Sequence, residues 1–147
     1  MVQGISDNDL SGLLAQIKAR YHVRNPVSLV SFTQGNIAVA KSGTATLKTD
    51  IDASLFSLGV LYAEATFSAA ANGDLTIDVR AKPPGQGDYS DEPWARGILS
   101  YNTASPYKRK MWLPFDVRQV DDLSIYYSSA NSAATMVIDH IGLKLVM

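Results

Sequence analysis

A chain of 147 residues with 46% hydrophobic and 18% charged side chains has the composition of a folded globule and the length of one domain, which excludes a disordered polymer. Thirteen basic against fourteen acidic side chains leave a formal charge of -1, so no global field draws the protein to nucleic acid or anionic lipid. The absence of cysteine removes disulfides, thiolate nucleophiles and thiolate zinc sites, and leaves packing as the source of stability.

The chain opens with Ser6-Asp7-Asn8-Asp9, which has capping-box spacing and predicts a helix start. Leu10, Leu13, Leu14, Ile17 and Tyr21 then recur at intervals of three and four, and Asn25-Pro26 stops the pattern. Residues 1–25 are therefore expected to form an amphipathic helical segment ahead of a β domain over 26–147. Its stripe of Leu10, Leu13, Leu14 and Ile17 needs a cover, either the domain itself or a neighbouring subunit, and is assigned as an interface candidate. Residues 1–20 contain no apolar run of signal-peptide length, and no 18-residue apolar stretch occurs elsewhere, so no membrane insertion is expected.

From residue 27 the period changes from 3.6 to 2. Strands are expected over 27–33, 37–40, 43–49, 60–69, 74–82, 96–101, 111–117, 123–127 and 135–146, separated by turn-forming groups such as Gln34-Gly35-Asn36 and Asn72-Gly73. Eight or nine strands without intervening helices predict an all-β jelly-roll sandwich with one N-terminal amphipathic helix. Residues 51–59 read equally well as a short helical turn or as a loop. Leu75, Ile77, Val79 and Ala81 define a dry face, with Thr76, Asp78, Arg80 and Lys82 on the wet one. Met111, Leu113, Phe115 and Val117 should face inward and Trp112 and Pro114 outward, with Pro114 marking an edge or a bulge. Leu123, Ile125 and Tyr127 should point in, and Ser124 and Tyr126 out. In the last strand Val137, Ile141, Leu143 and Leu145 are expected to share a face that Asp139 interrupts, and that carboxylate needs amides or a cation beside it.

Catalysis finds no support. His22 and His140 belong to no metal or acyl-transfer motif, and His140, beside Asp139, reads as a structural residue. Asp121-Asp122 does not converge as an acid pair on a strand, and Gly85-Gln86-Gly87 lacks the context of a phosphate loop. Binding is better supported. The connection 83–94 holds Tyr89 and Trp94 among Asp88, Asp91 and Glu92, which supplies ring faces for sugars and carboxylates for their hydroxyls. Such a segment serves equally well as a protein interface. Tyr107-Lys108-Arg109-Lys110, followed by Trp112, is the basic cluster; the acidic residues Asp116, Asp121 and Asp122 behind it argue against nucleic acid.

The segments 67–77, 110–115 (Lys-Met-Trp-Leu-Pro-Phe), 123–127 and 137–143, with Asp139, Ile141 and Leu143 in the last strand, together resemble the galactose-binding-like jelly roll of carbohydrate-binding modules. The resemblance covers roughly residues 60–146 and implies fold more than function. A freestanding chain with its own helix is also similar in format to phage virion proteins such as decoration, fibre or baseplate components. Two functions follow as expectations. The first is a non-enzymatic structural protein of a larger particle such as a phage virion, made in a host cytoplasm, homo-oligomeric and in contact with other structural proteins. The alternative is a carbohydrate-binding domain that recognises glycans through Tyr89, Trp94, Tyr107 and Trp112. No cofactor is implied beyond a structural calcium at Asp139.

Overall fold

In the computed structural model residues 11, 12 and 28–147 are described. The expected helix and its stripe Leu10, Leu13, Leu14 and Ile17 lie outside these residues, residues 11 and 12 apart, as does His22. Eight strands follow: β1 (Ser28–Val39), β2 (Thr44–Asp52), β3 (Leu58–Thr66), β4 (Leu75–Lys82), β5 (Ala95–Leu99), β6 (Lys108–Asp116), β7 (Asp122–Ser129) and β8 (Met136–Val146). They form two four-stranded antiparallel sheets ordered β1-β8-β3-β6 and β2-β7-β4-β5. This alternation of strands between two sheets is the jelly-roll arrangement.

Period-2 sequences fold this way because each strand has one face to bury. Leu75, Ile77, Val79 and Ala81 of β4 meet Leu123, Ile125 and Tyr127 of β7 in one half of the core. Leu61, Ala63 and Ala65 of β3 lie beside Ile138, Ile141, Leu143 and Leu145 of β8 in the other. Phe115 and Val117 are buried, with Met111 and Leu113 packed against the core, and Pro114 sits outward on β6, an edge strand where its missing N–H costs no ladder bond.

The expectations differ from the structure in three places, and of the two readings of residues 51–59 the structure shows a turn without a helix. Gln34-Gly35-Asn36 does not separate two strands: β1 runs through it paired to β8, and only Asn36, at φ 53°, takes the left-handed conformation. Residues 53–57 resolve as a turn closed by a hydrogen bond from the Phe56 amide to the Ala53 carbonyl, and Ile51 lies within β2, which ends at Asp52. Leu55 and Leu58 remain exposed. In β8 the inward set is Met136, Ile138, Ile141, Leu143 and Leu145, with Val137 exposed. The reason is a bulge: Glu64 pairs with His140 and Ala65 with Ile138, so Asp139 is an extra residue that reverses the alternation. Finally, Asp78 and Ser124 occupy outward positions yet are buried. Asp78 is covered by Arg96 of the adjacent edge strand, whose Nε and Nη2 donate to its two carboxylate oxygens at 2.7 and 3.0 Å. Arg80 stacks on the Tyr126 ring at 4.5 Å and shelters the same surface.

Candidate functional site

The outer face of the β1-β8-β3-β6 sheet carries the most exposed large apolar side chain among the described residues, Trp112 at 72%. Its position follows from alternation, since Met111 and Leu113 turn inward. Register then does the rest. Trp112 pairs with Tyr62 on β3, and Tyr62 pairs on its other side with Gly142 on β8. The two ring centroids are 5.4 Å apart with 30° between planes, and His140 brings a third ring to 6.4 Å from Tyr62. Gly142 matters through what it lacks: a methyl group there would overlap Cζ and Oη of Tyr62. The Tyr62 ring can therefore lie across β8 and leave a platform of adjacent aromatic faces.

Polar groups frame this platform. A hollow of about 170 Å³ is lined by Tyr62, Glu64, Lys110, Trp112 and His140 among others. Glu64 accepts from Lys108 at 3.3 Å and faces Lys110 at 3.4 Å. Burial pushes its carboxyl up, but the hydrogen bonds and charges of the two lysines outweigh that, and the net displacement is downward. Lys108 also donates to Asp139 at 3.2 Å and Thr66 at 3.1 Å, and the bonds to Asp139 and Glu64 hold its ammonium above the ordinary lysine range. Thr66 Oγ1 donates to Asp139 at 2.6 Å. Lys108 is thus the cation that the bulged Asp139 carboxylate requires, in the place expected for calcium. Among the described residues no group of three His, Cys, Asp or Glu side chains is arranged to hold a metal ion.

Gly142→Ala is expected to displace the Tyr62 ring while the strand pairing survives, because the clash is with the far end of a side chain rather than with backbone. The tyrosine fluorescence or ring NMR shifts of Tyr62 should change, with a melting temperature only a few degrees lower. Unchanged ring shifts would show that Gly142 does not position the ring.

The four aromatics named for glycan binding have different surroundings, and only Trp112 belongs to the platform. Trp94 stands before β5 at the end of the sandwich, 47% exposed, and its Nε1 donates to the Asp116 carbonyl at 2.6 Å. It borders a cleft of about 430 Å³ with Asp116, Arg118 and Gln119. Arg118 grips the Asp116 carboxylate through Nε and Nη2, and these bonds pull that carboxyl down to about 2. Tyr89 is engaged elsewhere. Its hydroxyl donates to Asp50 Oδ1 at 2.9 Å and accepts from the Asp50 amide at 2.7 Å, with Lys82 over its ring at 4.8 Å. Burial and the Asp50 carboxylate, against the opposing bond from the Asp50 amide, push the phenol up to about 12, and Tyr89 fastens the 83–94 connection to β2. Tyr107 is half-buried against the core, its amide bonded to the Ala104 carbonyl. In the basic cluster Lys108 and Lys110 pair with Glu64 and Asp139, while Arg109 donates to the neutral Ser100 carbonyl, so two of the three charges are compensated by carboxylates.

Sequence reasoning missed Tyr62, Glu64 and His140. The alternation of Leu61, Ala63 and Ala65 already placed Tyr62 and Glu64 outward. Their meeting with Trp112 and His140 depends on cross-strand register, to which single-strand patterns are blind.

Among solved structures the fold is similar to a Family 16 carbohydrate-binding module, with a TM-score of 0.50 and 14% identity over 74% of each chain. It is similar also to the CBM22-1-CBM22-2 tandem domain from Paenibacillus barcinonensis Xyn10C, with a TM-score of 0.50 and 16% identity over 81% of this chain and 38% of that one. The CBM22-1 xylan-binding domain of the same protein matches with a TM-score of 0.48 and 14% identity over 84% of this chain and 87% of that one. Identities this low speak for fold alone: the domain has the jelly roll of carbohydrate-binding modules. No family model and no curated protein matches the sequence.

Proposed function

We propose that the domain is a non-catalytic glycan-binding module whose ligand stacks on Trp112 and Tyr62. The observation that carries this reading is the paired, outward ring surface, with a Trp left 72% exposed next to Tyr62 and His140. An apolar ring of this size is costly to leave in water unless a ligand covers it. Sugar rings offer flat C–H faces for such a surface, while Glu64, Lys110 and His140 around it supply acceptors and donors for hydroxyls. Glycan-array binding tests the reading. The wild type should bind, and Trp112→Ala should weaken binding about tenfold or more with an unchanged melting temperature, since the ring adds contact rather than core volume. A wild type that binds no glycan, or a Trp112→Ala variant that binds equally well, would overturn it.

A second reading, a subunit of a larger particle such as a phage virion, draws on a different observation. Among the described residues β1 is an edge strand, 12 residues long, that exposes Leu29 and Val30 by about half, and an edge of that kind is a template for pairing with another chain. The apolar stripe expected from Leu10, Leu13, Leu14 and Ile17, outside the described residues, would give such an assembly a second contact. Sedimentation mass separates the two: a stable homo-oligomer favours assembly and a monomer favours recognition alone.

A further inference from the structure

We propose that the glycan lies lengthwise on β6, from the Tyr62–Trp112 platform over Pro114 to a second subsite at Trp94, Arg118 and Gln119, so that the domain recognises an extended unbranched chain rather than a sugar terminus. This rests on the platform being a glycan site and goes beyond it in assigning the ligand's path and the role of Trp94.

The outward residues of β6 run Lys110, Trp112, Pro114, Asp116. Three hollows follow that order. The first lies at Lys110 and Trp112; the second, of about 390 Å³, at Pro114, Leu58 and Asp116; the third, of about 430 Å³, at Asp116, Arg118 and Trp94. The second and third share Asp116 and Arg118, so they adjoin at the end of the strand. Four residues of strand separate Trp112 from Asp116, about 13 Å at 3.3 Å per residue. No single sugar ring spans that distance, so a ligand touching both ends has several.

The far end is built for a neutral, hydroxylated ligand. Trp94 comes from the connection before β5 but is tied to β6 by its bond to the Asp116 carbonyl, which fixes the indole. Arg118 and Asp116 cancel each other's charge, while among the described residues the guanidinium Nη1 donors of Arg118 and the amide of Gln119 remain to meet hydroxyls. Among the described residues a path across the sheet ends sooner, at the His140 ring on β8. Beyond Tyr62 the same register row holds Gly142 and then Thr33, with no further ring.

Calorimetric titration with cellobiose, cellohexaose, xylobiose and xylohexaose tests the path. For whichever series binds, the hexasaccharide should bind the wild type about tenfold more tightly than the disaccharide. Trp94→Ala should erase that gain while leaving disaccharide affinity unchanged, and Gln119→Ala, an exposed change, should reduce it in the same direction. Trp112→Ala should weaken both lengths. Equal affinity of the two lengths for the wild type, or hexasaccharide binding untouched by Trp94→Ala and by Gln119→Ala, overturns the lengthwise path and leaves the platform standing. Absence of binding by the wild type to all four overturns the lengthwise path, and overturns the platform as well when no glycan on the array binds.

Discussion

Replacing Gly73 with alanine is expected to lower the stability of the domain by about 3 kcal/mol, at the upper end of what overpacking costs. A Cβ at Gly73 would overlap the carbonyl of Ala130 and the amide of Asn131. These are backbone atoms, so relief cannot come from a rotamer change. The surroundings are also held. The Ala130 amide donates to the Asp74 carbonyl at 2.9 Å, and the Asn131 carboxamide oxygen, fully buried, accepts from the amides of Asn72, Ala133 and Ala134. Asn72 answers by accepting from the amides of Ser132 and Ala133. The added methyl group thus wedges apart two loops that satisfy each other's polar groups, and leaving those groups buried without partners is the larger cost. Gly87→Ala is the control, since a Cβ there meets nothing within 4 Å. Urea melts should show a much lower midpoint for the first variant and an unchanged one for the second. Similar midpoints for both would show that the loops give way easily.

The Asn72-Gly73 pair was legible in the sequence as a turn, but its tight fit against residues 130 and 131 was not. The same division runs through the molecule. Strand identity and inward faces could be read wherever alternation was unbroken, as in β4 and β6, because burial on one side imposes period 2 whatever the partner strand. They could not be read across Asp139, where one extra residue reverses the faces of β8 so that Val137 points out and Ile138 in. Nor could they be read for Asp78, a polar residue on an outward position that is 3% exposed because Arg96 of the neighbouring strand lies over it. Both facts belong to pairs of strands. The candidate site behaves likewise: Trp112 was recognisable as an outward aromatic, whereas Tyr62, Gly142 and His140 join it only through the registers of β3 with β6 and β8. Grouping Tyr89 and Trp94 by their nearness in sequence joined residues that the fold sends to Asp50 and to Asp116.

Leu61→Ala is expected to cost about 3 kcal/mol, within the usual range for truncating a buried leucine, because its surroundings cannot collapse far into the space left. Leu61 is fully buried on the central strand β3 and pairs with Leu113 on one side and Leu143 on the other. That inner row lies one residue from the outer row of Trp112, Tyr62 and Gly142, so core and platform are successive rungs of the same ladder. The rungs should nevertheless respond differently. Packing inside depends on volume, and a cavity beneath β3 removes contacts outright. The ring surface outside depends on register, which ten paired positions between β1 and β8 and nine between β3 and β6 hold in place. Leu61→Ala should therefore melt well below the wild type, by roughly 10 °C for a domain of this size, yet bind glycan within about twofold of wild-type affinity at temperatures where it remains folded. Calorimetry on the same preparation gives both quantities. Loss of affinity in step with loss of stability would mean that the platform is held by core packing and not by the strand register.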